Sequence, residues 1–252
     1  MKVVILAGGF GTRLSEYTEN YPKPMVQIGK IPILCHIIKI YEKYGYKDFI
    51  IATGYKSNII NEFFLKHSKI IEKEKNYLNL EFKYKKDKIK INSRVSLVFT
   101  GLNTMTGGRL KKLLKYISTE DFMLTYGDGI SNVNIINLVK FHKQHKKLAT
   151  LTAVRPPVRF GELTIKNSTV TKFEEKPKLK EGWINGGFFV FNKKIIDFIS
   201  GNQIMLEREP LEKLSRIKQL KAFKHTDFWQ CMDTKRDKDL LEKIYKQNKK
   251  SF

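Results

Sequence analysis

Residues 3–14 read Val3-Val4-Ile5-Leu6-Ala7-Gly8-Gly9-Phe10-Gly11-Thr12-Arg13-Leu14. A continuous apolar run that ends in glycines is the pattern of a strand buried on both faces and feeding a loop. The chain then repeats the theme. Pro32 opens a helical pattern carrying Ile33, Leu34, Ile37, Ile38, Tyr41 and Tyr44, which Gly45 stops. Phe49 to Ala52 reads as a second buried strand, and a helix follows around Ile59 to Leu65. Strands alternating with helices in this way predict a parallel, doubly wound sheet that binds its ligand outside the carboxyl ends of the strands.

Further along, strands are expected at Val95–Phe99, Phe122–Tyr126 and Ala149–Val154, with helices at about 108–116 and 134–145. Two short alternating runs between Phe160 and Glu174 read as an antiparallel pair, and Phe188–Phe191 is apolar again. Helices near 207–214 and 235–246 close the chain around a strand at Leu220–Phe223. One stretch breaks the rhythm. Residues 66–94 are Lys-rich and weakly periodic, and Glu81-Phe82-Lys83-Tyr84-Lys85-Lys86 reads as an exposed β-hairpin whose lysines protect a strand edge. Interleaved aromatics and lysines there also leave open a contact with single-stranded nucleic acid. The expectation is a single domain over 1–252, with a mostly parallel mixed central sheet flanked by helices. It carries a basic insertion at about 66–94 and a C-terminal helical segment at about 235–250.

Hydrophobic residues make up 41% and aromatics 12%, which supports a packed core and excludes a disordered chain. The net charge of +23 calls for an anionic partner. However, the 48 cations divide into 40 Lys and only 8 Arg. Bidentate recognition of phosphate or guanine favours Arg, so scattered Lys reads as solvated surface, and neither a nucleic-acid nor a membrane partner is expected. Cys35 and Cys231 show no zinc-ligand or disulfide spacing, and no apolar run approaches a membrane span. Lys2 and the apolar run after it resemble a short signal peptide, but Gly8-Gly9 and Arg13 interrupt it, so the expected location is cytoplasmic.

The first loop departs from the dinucleotide fingerprint, because Leu14 stands where its third glycine belongs. Its glycines still allow close backbone approach and can turn N–H groups toward phosphate oxygens. Arg13 adds a fork of donors, and Lys23 lies between Pro22 and Pro24, which restrict where it points. Asp128, flanked by Gly127 and Gly129 after an expected strand, is a sensible Mg²⁺ ligand. Asp233 is a second candidate, although its spacing fits the N-terminal cap of a helix equally well. Thr104 to Leu110 is another glycine-rich turn, where Arg109 marks either a phosphate or base contact or an ordinary helix start. Glu174-Glu175-Lys176-Pro177 suits sugar hydroxyls and a sugar phosphate, or a surface ion pair before a turn, and Asn185-Gly186-Gly187 opens a strand with room for a ligand. His142 and His145, three apart on a helix, read as surface residues.

Together these segments resemble the sugar-phosphate nucleotidyltransferases, and most closely the glucose-1-phosphate cytidylyltransferase branch. The segments Met-Thr-Gly-Gly-Arg-Leu (105–110), Thr-Tyr-Gly-Asp-Gly (125–129) and Arg-Phe-Gly (159–161) carry the resemblance. So do Ile-Asn-Gly-Gly-Phe-Phe (184–189), Glu-Pro-Leu (209–211) and Phe-Trp-Gln-x-Met-Asp-Thr (228–234), almost end to end. The resemblance implies a Rossmann-like nucleotidyltransferase fold and the conversion of CTP and α-glucose 1-phosphate to CDP-glucose and pyrophosphate. By the same resemblance, Leu6, Ala7, Gly8, Gly9, Phe10, Gly11 and Thr12 would cradle the nucleotide. Arg13 and Lys23 would hold its phosphates, and Thr104, Arg109 and Gly127 would lie beside it.

Asp128 and Asp233 would hold Mg²⁺, while Glu175, Lys176, Asn185 and Gly186 would meet the sugar phosphate. Arg13, Lys23 and Asp128 would carry the catalysis. A homo-oligomer and a role in dideoxysugar formation for surface polysaccharide are implied as well. The alternatives are the same chemistry with UTP, dTTP or another sugar 1-phosphate, or a basic nucleic-acid-binding protein. Two departures from the family stand out: Cys231 replaces an expected proline beside Asp233, which would loosen that loop, and 66–94 is unusually basic.

Overall fold

The computed structural model describes residues 1–155, 162–174 and 182–247. The chain runs β1 (Val3–Leu6), α1 (Ser15–Thr18), β2 (Gln27–Ile28), β3 (Ile31–Pro32), α2 (Ile33–Glu42), β4 (Asp48–Thr53) and α3 (Ser57–Lys66). It continues through β5 (Ser68–Glu74), β6 (Tyr77–Lys86), β7 (Ile89–Phe99), α4 (Thr106–Leu113), β8 (Asp121–Tyr126), β9 (Gly129–Ser131), α5 (Ile135–His145) and β10 (Ala149–Val154). After these come β11 (Glu162–Lys166), β12 (Thr169–Glu174), β13 (Ile184–Asn192), α6 (Glu209–Arg216), β14 (Leu220–His225), β15 (Trp229–Cys231) and α7 (Lys235–Lys246).

Nine strands form one sheet in the order β14-β10-β13-β8-β1-β4-β7-β6-β5. The opening apolar run supplies its middle strand. β1 pairs in parallel with β4 and β8, β4 with β7, and β10 with β14. β13 is antiparallel to both β8 and β10, and β6 to both β5 and β7. The sheet is therefore mixed and mostly parallel, with the Rossmann-like character expected.

Alternation along each central strand divides the core into two layers. Val3 and Ile5, Phe49 and Ile51, and Phe188 and Val190 face one layer, with Ile33 to Tyr41 of α2, Phe64 of α3 and Leu138 of α5. Val4 and Leu6, Ile50 and Ala52, and Phe189 and Phe191 face the other, with Leu110 and Leu113 of α4 and Leu211 and Leu214 of α6. Successive side chains of a strand point to opposite faces, so a run with no polar position is what two apolar layers require. Each fully buried side chain of this size contributes roughly 1.5–3 kcal/mol.

The basic stretch at 66–94 differs from the exposed hairpin expected. β6 and β7 stay in register from Tyr77–Val98 to Lys86–Ile89 and extend the main sheet. Leu78, Leu80, Phe82, Tyr84, Ile89 and Ile91 are buried in the layer of α2 and α3, while Lys83, Lys85, Lys86 and Lys90 are exposed. A half-buried strand needs only every second residue apolar, and the lysines between them masked that period. The antiparallel pair expected between Phe160 and Glu174 is β11–β12, a separate two-stranded sheet.

The histidine pair also differs. His142 is buried, and His142 Nδ1 and His145 Nε2 both meet Thr150 Oγ1, at 2.8 and 2.6 Å. Helical spacing alone does not say which face meets the sheet, and here it is theirs. Both cysteines are free thiols.

Candidate active site

The carboxyl ends of β1 and β8 open into a cleft of about 1760 Å³. Leu6 to Arg13 form one wall of it. Gly8 and Gly11 are needed for different reasons. A Cβ on Gly8 would lie 2.2 Å from an Arg109 guanidinium nitrogen, so only glycine lets that side chain reach beneath the loop. Gly11 has φ of 68°, the left-handed region that favours glycine, and its carbonyl accepts from Leu14 N and Thr18 Oγ1. Gly9 faces open space, and Phe10 is 46% exposed at the rim.

Lys23 is the centre of the charged group. Pro22 holds an extended backbone that starts a single 3₁₀ turn, Lys23–Met25, and Pro24 packs on the bare Cα of Gly127, where a Cβ would clash at 2.9 Å. That contact brings the turn to Asp128. Lys23 Nζ donates to Asp128 Oδ2 at 2.6 Å and to Asp233 Oδ1 at 2.5 Å, while Arg13 pairs with Asp233 Oδ2 at 2.7 Å. Burial works against the Lys23 ammonium, but the two carboxylates outweigh it and raise its pKa above the ordinary lysine value. Burial likewise works against the Asp233 carboxylate, but Lys23 and Arg13 hold its pKa below the usual range.

Asp233 reaches this place through tertiary structure. β15 pairs antiparallel with β9, Cys231 opposite Gly129, and Met232 N donates to Asp128 O at 2.9 Å. The main chain thus restrains the loop that the missing proline was expected to loosen. The N-terminal cap of α7 is not Asp233. Thr234 caps α7 in a reciprocal box with Asp237, which leaves the Asp233 carboxylate to the cleft. Cys231 Sγ lies 3.8 Å from Asp233 Oδ2, and burial, with Asp233 next in effect, pushes its thiol up to about 12.

Thr104 and Arg109 also line the cleft, but their polar atoms are committed to protein. Arg109 is 3% exposed. Its guanidinium donates to the carbonyls of Gly8, Thr53, Gly101 and Leu102 and to Thr100 Oγ1, at 2.6–3.2 Å. It therefore clamps three loops, following β1, β4 and β7, onto one another. Thr104 Oγ1 donates to Thr100 O at 2.7 Å and accepts from Lys112.

Asn185 and Gly186 sit on the opposite wall, where β13 bulges against β10 between the pairs Leu151–Phe189 and Ala153–Asn185. Gly187 has φ of 77°, and a Cβ there would meet the Tyr126 ring at 2.7 Å. Glu175 and Lys176 lie outside the described residues. Sequence reading missed Tyr126 and Glu207 of the cleft, which are joined by a 2.5 Å hydrogen bond across 81 residues. No local signal foretells a contact that distant.

The geometry brings four of the expected residues, Arg13, Lys23, Asp128 and Asp233, to one point. The Nucleotidyl transferase family profile matches residues 2–237. The chain is 46% identical to glucose-1-phosphate cytidylyltransferase of Salmonella typhimurium, over 99% of this chain and 97% of that one. It is 40% identical to a probable glucose-1-phosphate cytidylyltransferase of Bacillus subtilis, over 96% and 94%. The structure of HddC from Yersinia pseudotuberculosis complexed with GMP-PN superposes with a TM-score of 0.72 at 25% identity, over 97% and 99%. The chain belongs to the nucleotidyl transferase family and, within it, to the glucose-1-phosphate cytidylyltransferases.

Proposed function

We propose that the protein transfers a cytidylyl group from CTP to α-glucose 1-phosphate, giving CDP-glucose and pyrophosphate, as a single domain over 1–252. The observation that carries this reading is the convergence of Arg13 and Lys23 with Asp128 and Asp233 at the carboxyl edge of the sheet. The relatives that share nearly the whole chain bear the same activity in their names.

The phosphate oxygen of glucose 1-phosphate is already an anion, so no side chain need act as nucleophile or strong base. Two polyanions must instead be held in line at the α-phosphorus against their repulsion. The loop from Leu6 to Thr12, with Gly127, cradles the nucleotide, and Arg13 and Lys23 exchange their carboxylate partners for its phosphates. Fixed cations at that point stabilise the charge that builds up on the way to pyrophosphate release. Thr104 and Arg109 act on the nucleotide by fixing the loops that surround it. Asn185 and Gly186 face the sugar phosphate, with Glu175 and Lys176 assigned there from sequence.

Asp128 and Asp233 fit a Mg²⁺ ion. Both carboxylates already close on one cation, the Lys23 ammonium, and Mg²⁺ characteristically takes one or two carboxylates beside phosphate oxygens. When bound, the ion supplies charge neutralisation at the phosphates. Among the described residues no helix is long and apolar enough to cross a membrane. A cytoplasmic homo-oligomer that feeds surface-polysaccharide synthesis, with no nucleic-acid partner, completes the reading.

Pyrophosphate release with CTP, UTP, dTTP, ATP or GTP, each paired with glucose 1-phosphate with and without EDTA, tests it. Release confined to CTP and abolished by EDTA is expected. Release with another nucleotide instead overturns the specificity, and silence with all five overturns the substrate pair.

A further inference from the structure

A carboxylate stands in the cleft away from the Asp128–Asp233 pair. Glu207, just before α6, is exposed and lines the cleft. Its Oε1 accepts from Tyr126 OH at 2.5 Å and its Oε2 from Thr106 Oγ1 at 2.6 Å. The loop that carries it is fastened below, because Leu206 N donates to the same Thr106 oxygen at 2.9 Å. Both carboxylate oxygens are thus held in place by neutral hydroxyls on two different elements, β8 and α4.

Such a group is out of keeping with its surroundings. In a cleft that gathers two phosphorylated substrates, an anion near the phosphates costs binding unless it holds a cation there, as Asp128 and Asp233 hold Lys23, whereas Glu207 is held by two neutral hydroxyls. A fixed carboxylate can serve there only toward a neutral, donor-bearing part of a ligand. Among the described residues each oxygen accepts one side-chain hydrogen bond and retains acceptor capacity, so the group can take two further donors side by side. Neighbouring hydroxyls of a sugar ring are donors of that kind.

The hydrogen-bond chain behind Glu207 says which substrate. Asn185 Oδ1 accepts from Gly187 N at 2.9 Å, which turns its amide toward the Tyr126 oxygen. Tyr126 in turn donates a hydrogen bond to Glu207. Asn185, Tyr126 and Glu207 therefore form one directed chain that begins on the wall assigned to the sugar phosphate.

Resting on the cytidylyl-transfer reading above, we propose that Glu207 is a specificity residue that accepts hydrogen bonds from two neighbouring hydroxyls of the sugar 1-phosphate. Tyr126 and Thr106 are the positioning residues that aim it.

Steady-state kinetics of the full chain test this, with CTP and either glucose 1-phosphate or its 2-, 3-, 4- and 6-deoxy analogues. Glu207→Gln is expected to raise KM for glucose 1-phosphate by about ten- to a hundredfold, the range for losing a hydrogen bond to a charged acceptor, and to leave KM for CTP within about twofold. The wild type is expected to lose a similar factor with deoxy analogues at two adjacent carbons, and Glu207→Gln is expected to lose nothing further with those two. Tyr126→Phe keeps the carboxylate but frees one oxygen, so a smaller rise confined to the same substrate is expected. Should Glu207→Gln fail to fold, that selective rise carries the test. A rise in KM for CTP instead, which would mark an amino group of the base as the donor, overturns the proposal. Unchanged sugar KM, or losses that add for every analogue, overturns it as well. An active wild type with either result leaves the cytidylyl-transfer reading standing, whereas a wild type inert with every pair overturns both.

Discussion

Replacing Arg109 with methionine separates two roles that the same position could have in the cleft. Methionine keeps an unbranched side chain and the helix propensity of α4 but removes five donated bonds to Gly8, Thr53, Thr100, Gly101 and Leu102. Each acceptor left without a partner costs about 1–3 kcal/mol when buried. Water from the adjoining cleft can reach several of them, and the variant no longer buries a charge, whose pKa burial alone already holds below the ordinary arginine value. A net loss of about 3 kcal/mol is the reasonable balance.

For a chain of this size that corresponds to a fall in Tm of about 6–12 °C. The loops it joins include the one proposed to cradle the nucleotide, so KM for CTP is expected to rise by roughly tenfold as that loop loosens, with kcat falling less. Differential scanning fluorimetry and steady-state kinetics with pyrophosphate detection read both. Arg109→Lys is expected to recover little, since an ammonium presents its donors from a single point and cannot span three loops. A variant that melts within about 1 °C of the wild type while KM for CTP rises a hundredfold would refute the clamp. Arg109 would then be a direct nucleotide contact, swung out of the position seen here.

Other expectations follow from the same geometry. Asp128→Asn removes one of the two carboxylates closed on Lys23, and kcat is expected to fall by about a hundredfold or more while Tm changes by only a few degrees; unchanged turnover would take Asp128 out of the mechanism. Gly108→Ala would place a Cβ 2.3 Å from Asn202 O and 2.6 Å from its Cα, both main-chain atoms that cannot swing aside, so a loss of about 1–3 kcal/mol is expected and a calorimetric melt checks it.

Acid should also destabilise the fold through His36, which burial holds at about 4, below its ordinary 6.5. A base whose folded pKa is depressed contributes nothing above pH 6.5 and loses stability as the pH falls from 6.5 toward 4. The limit is about 3 kcal/mol over that window, and burial shifts His142 and His145 in the same direction. Urea midpoints measured from pH 8 to pH 4 should fall in that interval, and His36→Gln should flatten the profile.

Much of this was legible along the chain, wherever one residue acts through its neighbours. The run Val3–Leu6 has no polar position, and only the middle of a sheet covered on both faces accommodates that. Pro32 before α2 and Gly45 after it mark its ends through local dihedral preferences. Gly-Asp-Gly at 127–129 announced an accessible carboxylate.

What escaped sequence reading depends on elements that meet only after the chain has folded. Asp233 fits a helix cap as well as a ligand until β15 pairs with β9 and Thr234 takes the cap. Arg109 shows the same limit, since a cation beside two glycines reads equally as a phosphate or base contact or as an ordinary helix start, and only the folded chain brings the carbonyls of loops more than 50 residues away to its donors. Tyr126 and Glu207 carry no local mark at all, being joined by a contact across 81 residues. Local sequence sets which dihedrals and faces are available, whereas the partner of a charged side chain is decided by whichever group the packed sheet brings within about 3 Å.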